Sequence, residues 1–306
     1  MAFTWTGPKQ DNPDIYVQLI GSGSPLRLTT DSGNDYNPVW SLDGRSIAFL
    51  RRQSEADKSE LRLIPPLGGP ERKLAEIRVR RGTFVTPPHL AWCPDSNCLV
   101  VTDSPGEGKP DALFVISLET GEKRQLTHPQ PNAFGDTNPA VSPDGSWLVF
   151  RRSASGLYTG ELYRLPLGKG LTAVGQAQRL TLAALDAEHP VWMPDSQEIL
   201  FSAKGSLWRL VVPGESTPAR LPFVGEDGLM PVVSRPQPGR PSRLFTSAAP
   251  RTLISGASKP PLPGRPPRLH RSSQSPLPKT TACPIFLPTA AGWRLHPIDR
   301  ETGKSG

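Results

Sequence analysis

Residues 38–51 read Pro38-Val-Trp-Ser-Leu-Asp-Gly-Arg-Ser-Ile-Ala-Phe-Leu-Arg51, and the rest of the chain is best understood from this string. A short apolar segment, an Asp-Gly pair and a second apolar run together specify a tight hairpin. Gly accepts positive φ, and Asp bonds back to the neighbouring backbone. Three more copies follow, at Ala91-Trp-Cys-Pro-Asp-Ser96, Pro139-Ala-Val-Ser-Pro-Asp-Gly145 and Pro190-Val-Trp-Met-Pro-Asp-Ser196. Their aspartates, Asp43, Asp95, Asp144 and Asp195, are spaced by 52, 49 and 51 residues.

Outward from each turn the pattern continues. The second strands are Ile47-Ala-Phe-Leu50, Leu99-Val-Val101, Leu148-Val-Phe150 and Ile199-Leu-Phe201. Third segments follow at Glu60–Ile64, Ala112–Ile116, Glu161–Leu165 and Ser206–Leu210. Three units close on a Leu-Thr string, at Arg27-Leu-Thr29, Gln125-Leu-Thr127 and Arg179-Leu-Thr181, whereas one ends in Arg72-Lys-Leu74. Runs of four to six apolar residues are strand-sized, and no segment sustains a 3.6-residue stripe. The prediction is all-β: four-stranded units repeating about every 50 residues, which is the signature of a β-propeller. One such sheet cannot bury both of its faces, so neighbours must stack. Trp40, Trp92 and Trp192 are expected to fill the layers between them.

Residues 38–51 resemble the WSPDG repeat of TolB-type propellers, also called WD40-like PD repeats, and the resemblance runs from residue 1 to about 243. It implies units near 1–30, 38–74, 88–127, 139–181 and 190–244, the first and fifth incomplete, within a ring of six or more. Members include translocation proteins, propeller domains of prolyl-oligopeptidase-type peptidases, and periplasmic sensor halves of bacterial kinases and winged-helix regulators. Fold alone does not choose among these functions. The resemblance suggests a periplasmic setting, although residues 1–14 lack the charged-then-apolar order of a secretory signal.

Charge argues against a nucleic-acid partner. The net charge of +7 resides wholly in residues 246–306, which hold nine Lys and Arg against two acids; residues 1–245 balance at 26 of each. No run approaches the roughly 18 apolar residues of a membrane span. The three cysteines make no disulfide framework. Cys93 and Cys98 flank a turn and could form one cross-hairpin bridge, but free thiols are the expectation.

Both ends of the chain break the pattern. Met1–Trp5 aligns with Ile47–Arg51, so the chain enters a unit at its second strand. From residue 245 onward the composition turns to Pro, Arg and Ser, as in a disordered linker. Back-translated and read from the third codon base, residues 282–306 can yield MPHISPDGRRVAFASDRPGDREVW, another copy of the repeat. Residues 251–260 can likewise yield DADIWRVEA. A frameshift near Leu244–Phe245 is therefore expected, with 245–306 an out-of-frame, disordered tail.

No catalytic constellation, metal set or cofactor motif is visible, so the chain is not expected to be an enzyme. Gly21-Ser-Gly-Ser24 does not match the nucleophile elbow, and no glycine-rich string matches a phosphate loop. The turn residues Asp43, Gly44, Asp95, Asp144, Gly145 and Asp195 are read as structural. Arg51-Arg52 and Arg151-Arg152 are expected to be solvated or bonded across units. Asn37, Asn138 and His189 each precede a proline at the start of a first strand, the strand that lines a propeller's channel. Together with Asp35 and Asp136 they form a candidate ring at the channel mouth, suited to a peptide end, a sugar or a cation, or simply capping strand ends. The leading reading is a non-enzymatic interaction or ligand-sensing propeller with a protein or peptide partner, part of a larger signalling or regulatory protein. A substrate-gating propeller of a peptidase is the alternative. A metal-dependent sugar lyase ranks last, because only His189 is well placed for a metal.

Overall fold

The computed structural model describes residues 1–8, 11–19, 23–52, 58–78, 89–155, 159–182, 185–212, 217–222, 228–234, 242–248 and 293–297. They form six antiparallel sheets in a propeller arrangement. Sheet 1 holds β1 (Ala2–Trp5), β2 (Asp14–Val17) and β3 (Leu26–Arg27). Sheet 2 holds β4 (Asn34–Trp40), β5 (Ile47–Arg52), β6 (Lys58–Ile64) and β7 (Arg72–Arg78). Sheet 3 holds β8 (Leu90–Trp92), β9 (Cys98–Asp103), β10 (Ala112–Ser117) and β11 (Lys123–Gln125). Sheet 4 holds β12 (Gly135–Val141), β13 (Trp147–Ser153), β14 (Glu161–Gly168), β15 (Thr172–Ala173) and β16 (Gln178–Arg179). Sheet 5 holds β17 (Glu188–Trp192), β18 (Glu198–Ala203), β19 (Ser206–Val211) and β20 (Ala219–Arg220). Sheet 6 holds β21 (Gly228–Val233), β22 (Arg243–Ala248) and β23 (Trp293–Pro297). A 3₁₀ turn, Lys169–Leu171, interrupts the strands. No helix among the described residues is long and apolar enough to cross a membrane.

The core lies between sheets. Alternate residues of each second strand face opposite neighbours: Phe49 packs toward sheet 1 with Ile15 and Val17, whereas Leu50 packs toward Leu90, Trp92 and Val101 of sheet 3. Val100 and Val101 divide in the same way, as do Val149 and Phe150. This is why the second strands are apolar throughout instead of alternating. Phe49, Phe150 and Phe201, at one position of three sheets, are fully buried. Trp92 and Trp192 fill inter-sheet layers as expected, and each indole Nε1 donates to a carbonyl of the preceding sheet, Val39 O and Ala140 O, at 3.0 Å. Trp40 does not; it is 36% exposed. Sheet 1, the neighbour it would reach, starts at a second strand among the described residues and offers no inner strand to receive it.

The turns repeat atom for atom. The aspartate Oδ1 accepts from the backbone N–H two residues on, at 3.0 Å for Asp43, Asp95 and Asp144 and 3.1 Å for Asp195. The next residue is left-handed in all four turns: Gly44 (φ 73), Gly145 (φ 75), Ser96 (φ 59) and Ser196 (φ 59). A serine there is strained, and each one donates nothing locally. Its Oγ instead accepts from the preceding sheet, Asp43 N or Asp144 N, at 3.1 Å. The closing Leu-Thr strings have a common role as well. Thr29, Thr127 and Thr181 accept through Oγ1 from the N–H of Ile15, Leu113 and Leu162, tying the end of each unit to its third strand.

Several sequence expectations change. The segment 190–244 divides between sheets 5 and 6, the latter starting with β21. The expected tail boundary at residue 244 falls inside β22, because Arg243–Ala248 has an ordinary second-strand composition, and Trp293–Pro297 pairs with it as β23. The remainder of 245–306, and with it the readings DADIWRVEA and most of MPHISPDGRRVAFASDRPGDREVW, lies outside the described residues. Cys93 and Cys98 are not free thiols but a disulfide, their Cα atoms 5.3 Å apart across the hairpin. In sheets 2 and 4 the same positions hold Ser41 and Ser142, whose Oγ accepts from Ser46 N and Trp147 N at 2.9 Å. The bridge therefore stands where a hydroxyl bond closes the turns of sheets 2 and 4.

Arg51 is buried and Arg152 half-buried, and each is paired within its own sheet. The Arg51 guanidinium, 2% exposed, donates from Nε and Nη2 to both oxygens of Asp35 at 2.7 Å, and also to Glu71. Arg152 holds Asp136 in the same bidentate manner at 2.7 and 2.8 Å. Each pair staples a first strand to its own second strand, within one sheet and not across sheets.

Two outcomes follow for stability. Arg51→Met should destabilise the fold by about 3–5 kcal/mol, because it strands the buried Asp35 charge, while the Arg51→Met/Asp35→Leu double variant should recover most of that loss; urea unfolding measures both. Cys93→Ser/Cys98→Ser should exceed Cys93→Ala/Cys98→Ala in stability by about 1 kcal/mol, because serine at position 93 can rebuild the hydroxyl-closed turn. Equal midpoints for the two would contradict that account of the bridge.

Candidate functional site

The first strands of sheets 2 to 6 lie innermost, and each packs against the next: β4 on β8, β8 on β12, β12 on β17 and β17 on β21. Positions that recur on these strands therefore come together around one axis. Four of the strands carry a bulge, seen as a register shift between Tyr36 and Val39, Thr137 and Ala140, Glu188 and Val191, and Leu229 and Val232. At each bulge one residue is left-handed: Asn37, Asn138 and His189 at φ 54, and Met230 at φ 50. The proline that follows fixes the strand's direction. The bulge turns one side chain per strand out of the regular alternation.

Asn37, Asn138 and His189 thus occupy equivalent places, as their shared context implies. The structure adds His89, which the sequence reading passed over. It stands six residues before Asp95, as Asn37, Asn138 and His189 stand six before Asp43, Asp144 and Asp195. Leu90 in place of proline concealed it. The inner position consequently reads Asn, His, Asn, His, Met from sheet 2 to sheet 6.

Asp35 and Asp136 stand two residues earlier and are fully buried. Both oxygens of each are engaged by Arg51 and Arg152, so these carboxylates hold the inner strand in place. Burial raises the Asp35 carboxyl above its ordinary value, against the pull of Arg51. Both ion pairs join residues 16 apart at the same register.

Asn37 Oδ1 accepts from His89 N at 2.9 Å, across the junction of sheets 2 and 3. The other ring groups are less well provided for. Asn138, His89 and His189 are 0%, 1% and 4% exposed, and neither polar atom of any of the three side chains has a hydrogen-bond partner. Desolvation lowers His89 to about 3 and His189 to about 4, with Arg52 and Arg151 pushing in the same direction. Both imidazoles are therefore neutral at pH 7, each with one donor and one acceptor nitrogen. Arg151 Nη2 donates to Asp186 at 3.0 Å. Arg52 lies over the Tyr36 ring at 5.3 Å and donates to its hydroxyl at 3.3 Å; it has no carboxylate partner among the described residues, and its buried Nε is unbonded. Elsewhere, Cys93, Asp95 and Cys98 converge within 4.8 Å, but the two sulfurs are bonded to each other and not available to a metal.

No family model matches the chain. In sequence it is 30% identical, over 45% of its length, to the uncharacterized peptidase YuxL of Bacillus subtilis, and 27% identical over 39% to dipeptidyl-peptidase 5 of Porphyromonas gingivalis. It spans only 24% and 17% of those two proteins. In structure it resembles TolB from Acinetobacter baumannii, with a TM-score of 0.58 and 15% identity, covering 81% of this chain and 60% of that one. It also resembles a TolB from Agrobacterium tumefaciens, with a TM-score of 0.53 and 19% identity, covering 68% and 73%. At such identities the likeness is one of fold, and the fold of this chain is a TolB-like β-propeller.

Proposed function

We propose that this chain is a non-enzymatic binding propeller, part of a larger signalling or regulatory protein, that holds a protein, peptide or small ligand at the mouth of its axis. The recurring inner position carries the reading: four of its five occupants are hydrogen-bonding side chains, and three of these are buried without partners. Buried polar groups are normally paired, and leaving one unpaired costs about 1–3 kcal/mol. A fold that repeats such a group around one axis is built to meet something there. The Cys93–Cys98 bridge supports an oxidising compartment, where disulfides persist. A periplasmic setting agrees with that.

A second reading is favoured by the two peptidase matches: the chain would be the substrate-gating propeller of a longer peptidase. The propeller would then sort substrates for a catalytic domain carried elsewhere on the polypeptide.

One measurement separates these readings, and a second tests binding by the chain itself. The coding DNA on either side of this segment should encode a winged-helix or kinase domain upstream; an α/β-hydrolase domain downstream would decide for the peptidase. Calorimetry on the purified chain should detect saturable binding of short peptides, with no release of p-nitroaniline from dipeptidyl p-nitroanilides. Turnover above the blank would overturn the non-enzymatic reading.

A further inference from the structure

The inner ring and its charged surroundings point to one ligand chemistry. The Asp35–Arg51 and Asp136–Arg152 pairs are closed on themselves. On the sheet 5 side, Arg151 is answered by Asp186, and Glu188 stands beside His189, its Oε1 4.0 Å from Nδ1. On the sheet 2 side, Arg52 lies over Tyr36, next to Asn37 in the chain, with no carboxylate partner among the described residues, and its Nε is buried and unbonded. A cation would meet that guanidinium unopposed, whereas an anion would supply the acceptor it lacks. The amide of Asn138 and the imidazoles of His89 and His189 add N–H donors that have no acceptor among the described residues.

We propose that the axial ring of Asn37, His89, Asn138 and His189, with Arg52 at its edge, is a carboxylate-binding site. The carboxylate accepts from Arg52 and from the ring N–H groups, while the remaining neutral acceptors of the ring take hydroxyl or amide N–H groups from the rest of the ligand. The chemistry is shared by a small hydroxycarboxylic acid and by the C-terminus of a peptide. Because the polar atoms of His89, Asn138 and His189 are closed to solvent, reaching them requires at least one of these side chains to rotate aside. The proposal rests on the axial binding reading above and names what that site selects.

The test uses the full chain with ¹⁵N-labelled histidines, titrated with lactate, with acetyl-dialanine, and with its C-terminal amide. The ring nitrogens of His89 and His189 should shift on addition of a free carboxylate, while those of exposed His128 stay in place. The amide should be silent. Tighter binding of lactate than of the free-acid peptide identifies a small acid as the natural source, and the reverse order identifies a chain terminus. Arg52→Gln, at a half-buried position, should weaken carboxylate binding at least fivefold with no change in unfolding midpoint. Asn138→Ala should do the same; if it does not fold, the Arg52 variant still decides. Unmoved His89 and His189 signals, or an Arg52→Gln protein that binds as the original does, would overturn the carboxylate site. Saturable peptide binding with shifts confined to other residues would overturn it too, yet leave the binding-propeller reading standing.

Discussion

Everything in this chain depends on sheets that are apolar on both faces and must be covered on both. A four-stranded antiparallel sheet with Phe49 on one side and Leu50 on the other has no solvent face to spare. Only a neighbour of the same kind on each side satisfies it, and repeating that requirement wraps the sheets around an axis. The axis is thus a by-product of burial. It is also where function concentrates, because it gathers one position from every unit into one place. The cross-strand ion pairs serve the same end: they fix how each inner strand leaves its sheet, and so where the bulge residue is delivered.

The fold was legible because its decisive signals are local. Asp43 and Asp144 bond to a backbone N–H two residues away, so the residues that make the turn are also the residues that announce it. Apolar runs of four read directly as doubly covered strands. What escaped was set by partners distant in the chain. Trp40 has the same surroundings in sequence as Trp92 and Trp192, and only the neighbouring sheet decides whether it is covered. Arg51 beside Arg52 looks like a solvated pair until Asp35, on another strand, is seen to claim one of them. The edge between sheets 5 and 6 was lost because Leu229 to Val233 carries no aspartate turn among the described residues to mark a new unit.

The candidate site was half legible. Asn37, Asn138 and His189 were visible through the proline that follows each. His89 was hidden by a leucine, although counting back from the turn aspartate would have found it. Asp35 and Asp136 lie on first strands, and their roles could not be read from spacing alone. A carboxylate near a channel is chemically ambiguous until its counter-ion is known, and here each counter-ion lies on the adjacent strand.

One feature of the turns reaches beyond the turns themselves. Asp-Gly sheets alternate with Asp-Ser sheets, and the serine always reaches back to the sheet before it, beside a tryptophan that does the same. Sheets 2 and 3 are latched in this way, and so are 4 and 5. Between sheets 3 and 4 the corresponding residues are Gly145 and Val141, which have neither a hydroxyl nor an indole to offer. There Asp136 N donates to Asp111 O at 2.7 Å beside Gly135, whose place admits no side chain, and Arg124 Nη2 donates to the Gly170 and Leu171 carbonyls at 3.2 Å. Neighbouring sheets are therefore joined in two ways, through a serine and an indole within a couplet and through Arg124 and the Asp111 backbone between couplets.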